Sequence, residues 1–461
     1  MPKRRARSCF VRRKISLSRS LTFTFFTLAL LASERPAVAA GDKLRTGRAA
    51  FGDWTEDAPG VRRKITVADL PPPNHTSSAD NGPDVVSRPK GAEPQVLPGF
   101  VVEQYAGGFT DPRFLLTAPN GDVFVVESSA NEIKVLRDGD GDGKPEMTQL
   151  FTREHLNQAF GIAFYPPGRD PHYLYVANTN GVIRFPYRNG DMKARGRAEL
   201  LGAQLSPGGL LRGGGHWTRG LAFSADGKKM YVSVGSLSNN SDRPSEADRA
   251  RIFEFNPDGS GRRVFAWGIR NAVGIVVRPG TNELWMSTNE RDGLGDDLVP
   301  DYISSVRRGG FYGWPWFYLG DHPDPRHKGK HPELGKKAIV PDLLVQAHSA
   351  SLNLCFYDGT QFPAEYRGDI FACFHGSWNR TRRTGYKVVR VPFENGKVLG
   401  EYEDFVTGFV TPNGNVWGRP VGVTVAKDGA LLFSEDGNGT IWRVSYPAAS
   451  TGKQTPKDRA P

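Results

Sequence analysis

The 461-residue chain is poor in sulfur and in long apolar runs. It holds three cysteines, Cys9, Cys355 and Cys373, and five methionines. So few thiols exclude a disulfide-built scaffold and a cysteine zinc cluster, and no Cys-x-x-Cys-His haem-attachment motif occurs. Cys355 and Cys373 are left to pair in an oxidising compartment or to pack as small hydrophobes, and sequence leaves both open. The run LTFTFFTLALLA (21–32) is shorter than the roughly 20 residues of a membrane span. It follows a basic stretch and precedes the small-residue motif AVAA (37–40), the pattern of an export signal cleaved near Ala39. An uncleaved anchor is the alternative, and Arg12-Arg13 gives a weak twin-arginine hint. The expected location is the periplasm or the exterior. Charge of one sign is also scarce outside this signal. Residues 1–39 carry nine Lys/Arg and one acid, a net of +8 that leaves only +3 of the formal +11. Nucleic acid as a partner thereby loses its main support.

Glycine and turn residues are abundant, and they punctuate a repeat. Residues 40–98 are rich in Pro, Ser, Asp and Asn and lack apolar periodicity, which predicts an extended N-terminal segment or linker. From residue 99 a strand, a Gly or Asp-Gly turn and a second strand recur: RFLLTAPNGDVFVVES, FGIAFYPPGRDPHYLYVANT, RGLAFSADGKKMYVSVGS, NAVGIVVRPGTNELWMSTNE, LCFYDGTQFPAEYRGDIFACFHGS and RPVGVTVAKDGALLFSED. A third strand follows each. Units of this kind predict an all-β, six-bladed β-propeller with four-stranded blades over 99–446, followed by a tail at 447–461. Residues 311–350 read as an insertion. The last repeat lacks a fourth strand, which GFVVEQYA (99–106) is expected to supply.

In such a ring the residues before each first strand and after each second strand share one mouth. They are Asn157, Gln158, Asn178 and Asn180, then His216, Thr218, Arg219 and Ser236, then Arg270, Asn271, Glu290 and Asp292. His375, Ser377, Asn379, Arg380, Arg419, Glu435 and Asp436 complete the set. That crowding marks the mouth as the ligand end. GGGHWTRG (213–220) delivers an imidazole there, and its glycines let a flat ligand approach the backbone. Arginines 219, 270, 380 and 419 suit a multiply anionic ligand, or each closes a local ion pair. Oxygen-rich NERDGLGDD (289–297) suits calcium or is a solvated acidic loop. Asp138, Asp140 and Asp142, at alternate positions, have calcium-loop spacing but fall at the other end of the ring. Trp217, Trp314 and Trp417 are candidates to stack on a planar ligand or sugar, with packing between blades as the alternative.

Several stretches together resemble the pyrroloquinoline-quinone (PQQ) sugar dehydrogenases of the glucose/sorbosone type, sorbosone dehydrogenase-like members most of all. They are LNQAFGIAF, GGGHWTRGLAFSADGKKMYVSVGS, AWGIRNAVGI, NERDGLGDD, GGFYGWPW, FHGSWNRTRRTGYKV and WGRPVGV, spread over 95–446. The resemblance implies His216 as the general base, taking a hydroxyl proton as hydride passes to the quinone C5. It implies Arg270 and Asn271 as the pair that holds the cofactor, with Arg270 also steadying developing charge. Arg419 and Arg380, the latter near a family lysine or arginine, are implied as further cofactor contacts, and Arg219 is a candidate contact from the arginine clustering alone. Backbone carbonyls of Asp292 and Gly293 are implied calcium ligands. Asn157 or Gln158, with Trp417, falls at the implied substrate site. A sugar substrate and a quinone or cytochrome-type electron acceptor are the implied partners. One departure matters: the glucose enzymes carry an aspartate immediately before the base, and here that position is Gly215. Glucose specificity is therefore not implied, and an open-chain aldose or sorbosone-like aldehyde suits equally. Two other classes remain open on sequence alone, a calcium-dependent lactonase and a non-catalytic binding propeller.

Overall fold

The computed structural model describes residues 44–206, 208 and 215–447, so the signal region and Gly213–Gly214 lie outside it. Six sheets carry the predicted blades. Blade 1 comprises Pro112–Thr117, Val123–Glu127, Glu132–Arg137 and Met147–Thr152; blade 2 comprises Ile162–Tyr165, Tyr173–Asn178, Gly181–Pro186 and Glu199–Gln204. Blade 3 runs through Leu221–Phe223, Met230–Val234, Arg251–Phe255 and Arg263–Trp267; blade 4 through Asn271–Val277, Leu284–Asn289, Pro300–Ser305 and Leu343–Ala347. Blade 5 has Ser351–Phe356, Ile370–Phe374, Lys387–Val391 and Tyr402–Val406. In blade 6, Pro420–Val425, Leu431–Glu435 and Thr440–Ser445 are completed by Val101–Gly107 from the start of the ring. That strand lies antiparallel to the last one, from Val101 opposite Ser445 to Gly107 opposite Thr440, as expected.

Position in the blade dictates composition. Second strands such as Val123–Glu127 are buried at every residue, because neighbouring blades cover both faces, so they read as continuous apolar runs. Outer strands such as Glu199–Gln204 are only partly covered and alternate. At the axis, one apolar cluster takes Phe114, Ile162, Val273, Leu352 and Val421 from the inner strands of five blades and Trp217 from the segment that enters blade 3. Glycine permits this approach. A Cβ on Gly274 would stand 2.5 Å from the Leu352 carbonyl oxygen of blade 5, and one on Gly220 2.9 Å from that of Val273 in blade 4. Gly161 and Gly422 face the next blade's backbone in the same way.

Of the two readings of the N-terminal region, residues 44–98 form an extended segment packed on the ring rather than a free linker, and the insertion differs from expectation in its bounds. Arg62–Arg63 pairs with the outer strand of blade 5 and Leu44–Arg45 pairs with Arg62–Arg63. Arg63 is 0% exposed, with Nη1 2.7 Å from Asp404 and Nη2 2.8 Å from Asp57, while Lys387 reaches the same two carboxylates. The insertion is 306–342 rather than 311–350, because Leu343–Ala347 is the outer strand of blade 4. Its first part lies along the outer edge of blade 3, where Trp267 N–H donates to Gly310 and Tyr312 N–H to Trp267. Cys355 and Cys373 are both free thiols, so packing rather than a disulfide accounts for them.

Gly274→Ala is expected to lower stability by about 1–3 kcal/mol through overpacking at the axis. Gly82→Ala, where a Cβ meets nothing within 4 Å, is expected to stay within about 0.5 kcal/mol of wild type. Thermal melts of the two variants check the contrast.

Candidate active site

Strand register brings the expected residues to one mouth. Asn271 opens the first strand of blade 4 opposite Asn289 at the end of the second, and Pro420 and Glu435 do the same in blade 6. His216 precedes blade 3, and its N–H donates to the Ser236 carbonyl after that blade's second strand. Its ring does likewise: Nδ1 lies 2.8 Å from Ser236 O. A carbonyl only accepts, so the proton sits on Nδ1 and Nε2 presents its lone pair. Burial, with the Arg270 cation next in weight, pushes the imidazole down to about 3. Arg249 fixes the platform beneath, donating to His216 O at 2.7 Å and Ser236 O at 3.1 Å.

Gly235 lets His216 and Asn271 stand side by side. A Cβ there would fall 2.3 Å from Asn271 Oδ1 and 2.6 Å from His216 Cβ. The Asn271 residue is 5% exposed and its Oδ1 has no hydrogen-bond partner. Thr218 Oγ1, 7% exposed, is unpartnered in the same way. Such atoms also occur in the blade cores, as at Trp285 Nε1 and Tyr302 Oη, so it is the position of these two at the mouth that singles them out. Arg270 is engaged at every nitrogen: Nη1 reaches Glu290 O at 2.7 Å, Nη2 reaches Asp292 Oδ2 at 2.9 Å, and Nε reaches Asn239 O at 3.2 Å. It therefore acts on His216 as a fixed field. Burial alone would raise the Asp292 carboxyl, but Arg270 and His348 outweigh it and hold it low. His348 donates to Gly295 O at 2.9 Å and sits 3.3 Å from Asp292, which raises its pKa against the pull of burial.

A second constellation joins blades 5, 6 and 1. His375 Nε2 lies 2.9 Å from both Asp436 oxygens, and Arg419 Nη2 donates to His375 Nδ1 at 3.0 Å. This imidazole is enclosed at both nitrogens, whereas that of His216 is open at one. Burial, reinforced by Arg419, pushes His375 down to about 4. Arg113 also pairs with Asp436 and lies 5.6 Å over the Trp217 ring, which links this group to the His216 segment. His348 and Asn239 carry no motif and were not assigned from sequence; their roles come only from loops that fold over the mouth.

Several sequence expectations are corrected. Arg219 is 0% exposed, and its guanidinium donates to the carbonyls of Ser206, His216 and Thr218. Burial pushes it down to about 9, and it holds the loop from behind rather than facing a cofactor. Arg380 joins Asp297 at 2.7 Å and the carbonyls of Asp296 and Phe51, tying the N-terminal segment to blade 4. Trp417 is 2% exposed inside the blade 6 core, with its indole N–H donated to Gly408 O at 2.9 Å, so it offers no face to a substrate. The Asp292 carbonyl already accepts from Asn239 Nδ2 and cationic Arg326 Nη1, each at 2.9 Å. A calcium ion there would have to displace both. Gly293 is exposed, and its N–H donates to Asn379. Asn157 is exposed at the blade 2 entrance and Gln158 half-buried beside it. The carboxylate oxygens of Asp138, Asp140, Asp142 and Glu146 lie within 4.8 Å of one another at the far end of the ring.

Fold and site together define a six-bladed propeller with a half-buried, open-sided histidine among fixed cations at one mouth. The chain belongs to the TrAA12-like family, whose model matches residues 94–300 and 328–447. It is 25% identical over 436 residues to a pyrroloquinoline quinone-dependent pyranose dehydrogenase of Coprinopsis cinerea, covering 78% of this chain and 57% of that protein. The chain spans 57–61% of the length of the curated relatives it matches first. In fold it is similar to a calcium structure of Trichoderma reesei carbohydrate-active enzyme family AA12, with TM-score 0.64 at 20% identity, covering 77% of this chain and 97% of the other. The holo PQQ domain of the Coprinopsis cinerea pyranose dehydrogenase gives TM-score 0.63 at 22% identity, covering 77% and 97%.

His216 and His375 both take up protons in the fold far below the free-imidazole value, so the unfolded chain protonates first as pH falls. Their contribution to stability is complete above about 6.5 and is lost as pH falls toward about 4 and then about 3. Both rings are expected to stay neutral from about pH 8 to 5. Histidine-selective carbon NMR, assigned with His216→Gln and His375→Gln, checks this; a midpoint near that of free imidazole for either ring would contradict it.

Proposed function

We propose that the chain is a PQQ-dependent dehydrogenase of an aldose or sugar aldehyde, with His216 as the base. The observation that carries this reading is the juxtaposition of an imidazole with an open Nε2 and the unpaired Oδ1 of buried Asn271. The mouth fits a planar, carboxylated quinone. Asn271 and Thr218 supply unpaired polar groups, and the Arg419 guanidinium makes its hydrogen bonds through Nε and Nη2 only, leaving Nη1 for a carboxylate. When bound, PQQ supplies the two-electron acceptor for the sugar's C–H hydrogen.

The chain's own residues do the rest. His216 Nε2 accepts the substrate hydroxyl proton, while Nδ1–H remains on Ser236 O and fixes the ring plane. An imidazole held as low as this one is a weak base in the free protein. An anionic ligand placed against the cations of the mouth offsets the Arg270 part of that depression, while burial, its larger cause, persists. Gly215, at φ +82° and 2.7 Å from Leu237 O through a notional Cβ, leaves no room for the acidic side chain that glucose enzymes carry there. Glucose specificity is therefore not implied, and a smaller or open-chain substrate of the sorbosone type fits as well. Export and electron transfer to a quinone or cytochrome-type acceptor are parts of the same proposal, carried by the resemblance; calcium dependence has the resemblance alone behind it, since Asn239 and Arg326 hold the Asp292 carbonyl.

Purified mature protein is to be reconstituted with PQQ, with and without calcium, and dye reduction followed across aldoses, sorbosone and simple aldehydes. Turnover that requires PQQ is expected. His216→Gln is expected to lower it about 10²–10⁴-fold with PQQ still bound, whereas Asn271→Ala and Arg419→Ala weaken PQQ binding. Protein that binds no PQQ, or a fully active His216→Gln variant, would overturn the reading.

A further inference from the structure

Outside the mouth, between blade 3 and the insertion that covers its edge, lies a cavity of about 240 Å³ lined by three tryptophans, Trp267, Trp314 and Trp316. Its walls are built rather than incidental. Arg251 and Trp267 are directly opposed across neighbouring strands, so both side chains project from one face of blade 3. Trp314 N–H donates to Gly268 O, and its indole N–H donates to Asn239 O at 3.0 Å. Trp267 rests one face on Phe311 at 4.2 Å, and Trp316 rests on His331 at 4.2 Å. Both indoles are half-buried and keep surface toward the cavity.

The cavity holds a cation that nothing answers. Arg251 Nε donates to Arg249 O at 3.2 Å, and among the described residues no carboxylate pairs with its guanidinium. Asp248, the acid that acts on it most, is 3.2 Å from Arg262 instead. Burial therefore lowers the Arg251 pKa, and Arg262 adds to the fall. The two acids of the lining are committed: Asp242 to Lys330 at 2.6 Å, and Glu246 to Leu237 N–H and Ser238. The space suits one sugar-sized ring, since drug-sized ligands occupy clefts of about 300 Å³ or more. Aromatic faces take the C–H face of a pyranose, and a guanidinium fork takes a carboxylate.

We propose that this cavity is a second saccharide site that takes a uronic acid residue, its ring against Trp267 and Trp316 and its carboxylate on Arg251. It is separate from the mouth, and joined to it by Arg249, which lines the cavity and holds His216 O. The test uses protein free of PQQ, so it is independent of the redox reading. Tryptophan fluorescence and calorimetry follow titration with glucuronate, glucose and benzoate. Glucuronate is expected to bind saturably, at least tenfold tighter than glucose or benzoate. Arg251→Gln and Trp316→Leu are each expected to weaken it at least tenfold with melting temperature retained, and His216→Gln to leave it unchanged. Should Arg251→Gln fail to fold, Trp316→Leu carries the test alone. Equal affinity for glucose, tighter benzoate binding, or unaltered affinity in a folded variant would overturn the proposal.

Discussion

The rest of the molecule depends on how closely the innermost strands approach one another at the axis. Backbone there meets backbone: Gly161 N–H donates to Arg219 O across blades 2 and 3, and Gly274 lies against Leu352 across blades 4 and 5. No side chain can occupy those positions, so the spacing of the blades is set by the main chain itself. Every loop of the mouth hangs from the end of such a strand. The position of His216 against Asn271 is therefore inherited from the packing at the centre, and a shift of one blade would be felt at the imidazole.

Two histidines illustrate how the same surroundings make different groups. His375 is buried and His216 half-buried, both near arginines, and both are kept neutral by desolvation and positive field. Their hydrogen bonds separate them. His375 is closed between Asp436 and Arg419, so it transmits order from one charged group to another. His216 is tied only at Nδ1, so its second nitrogen faces the mouth. His348 shows the reverse electrostatics, since Asp292 and two carbonyl or carboxylate neighbours stabilise its charged form. Three imidazoles in one ring thus hold three distinct duties without any difference in residue type.

Most of the fold was legible in the sequence because a propeller repeats. Strand, tight turn and strand recur with apolar runs that are uniform where both faces are covered, and the missing fourth strand of the last blade pointed to residues 99–106. The mouth was legible for the same reason, as a consequence of strand direction. What was lost was orientation. Arg219, Arg380 and Trp417 stand at the right end of the ring, yet their side chains turn inward to carbonyls, an aspartate and a core. Sequence position gives the address of a residue on a loop but not the rotamer that burial selects. Asn239 and His348 sit in stretches without periodicity or motif, and the N-terminal segment's union with blade 5 rests on an ion quartet whose members, Arg63, Asp57, Lys387 and Asp404, are scattered along the chain.

The closing strand of blade 6 has a kinetic meaning. Residues 101–107 find their partners more than 330 positions later in the chain, at 440–445. Bringing such distant ends together carries an entropic cost of about 5 kcal/mol on a logarithmic loop-closure scale, and contacts of this range slow folding. The same closure works in the other direction once made. A ring whose first and last strands share one sheet has no terminal blade that can peel away by itself, so losing that blade means breaking the shared sheet, and the lifetime of the closed ring follows the rate of that event.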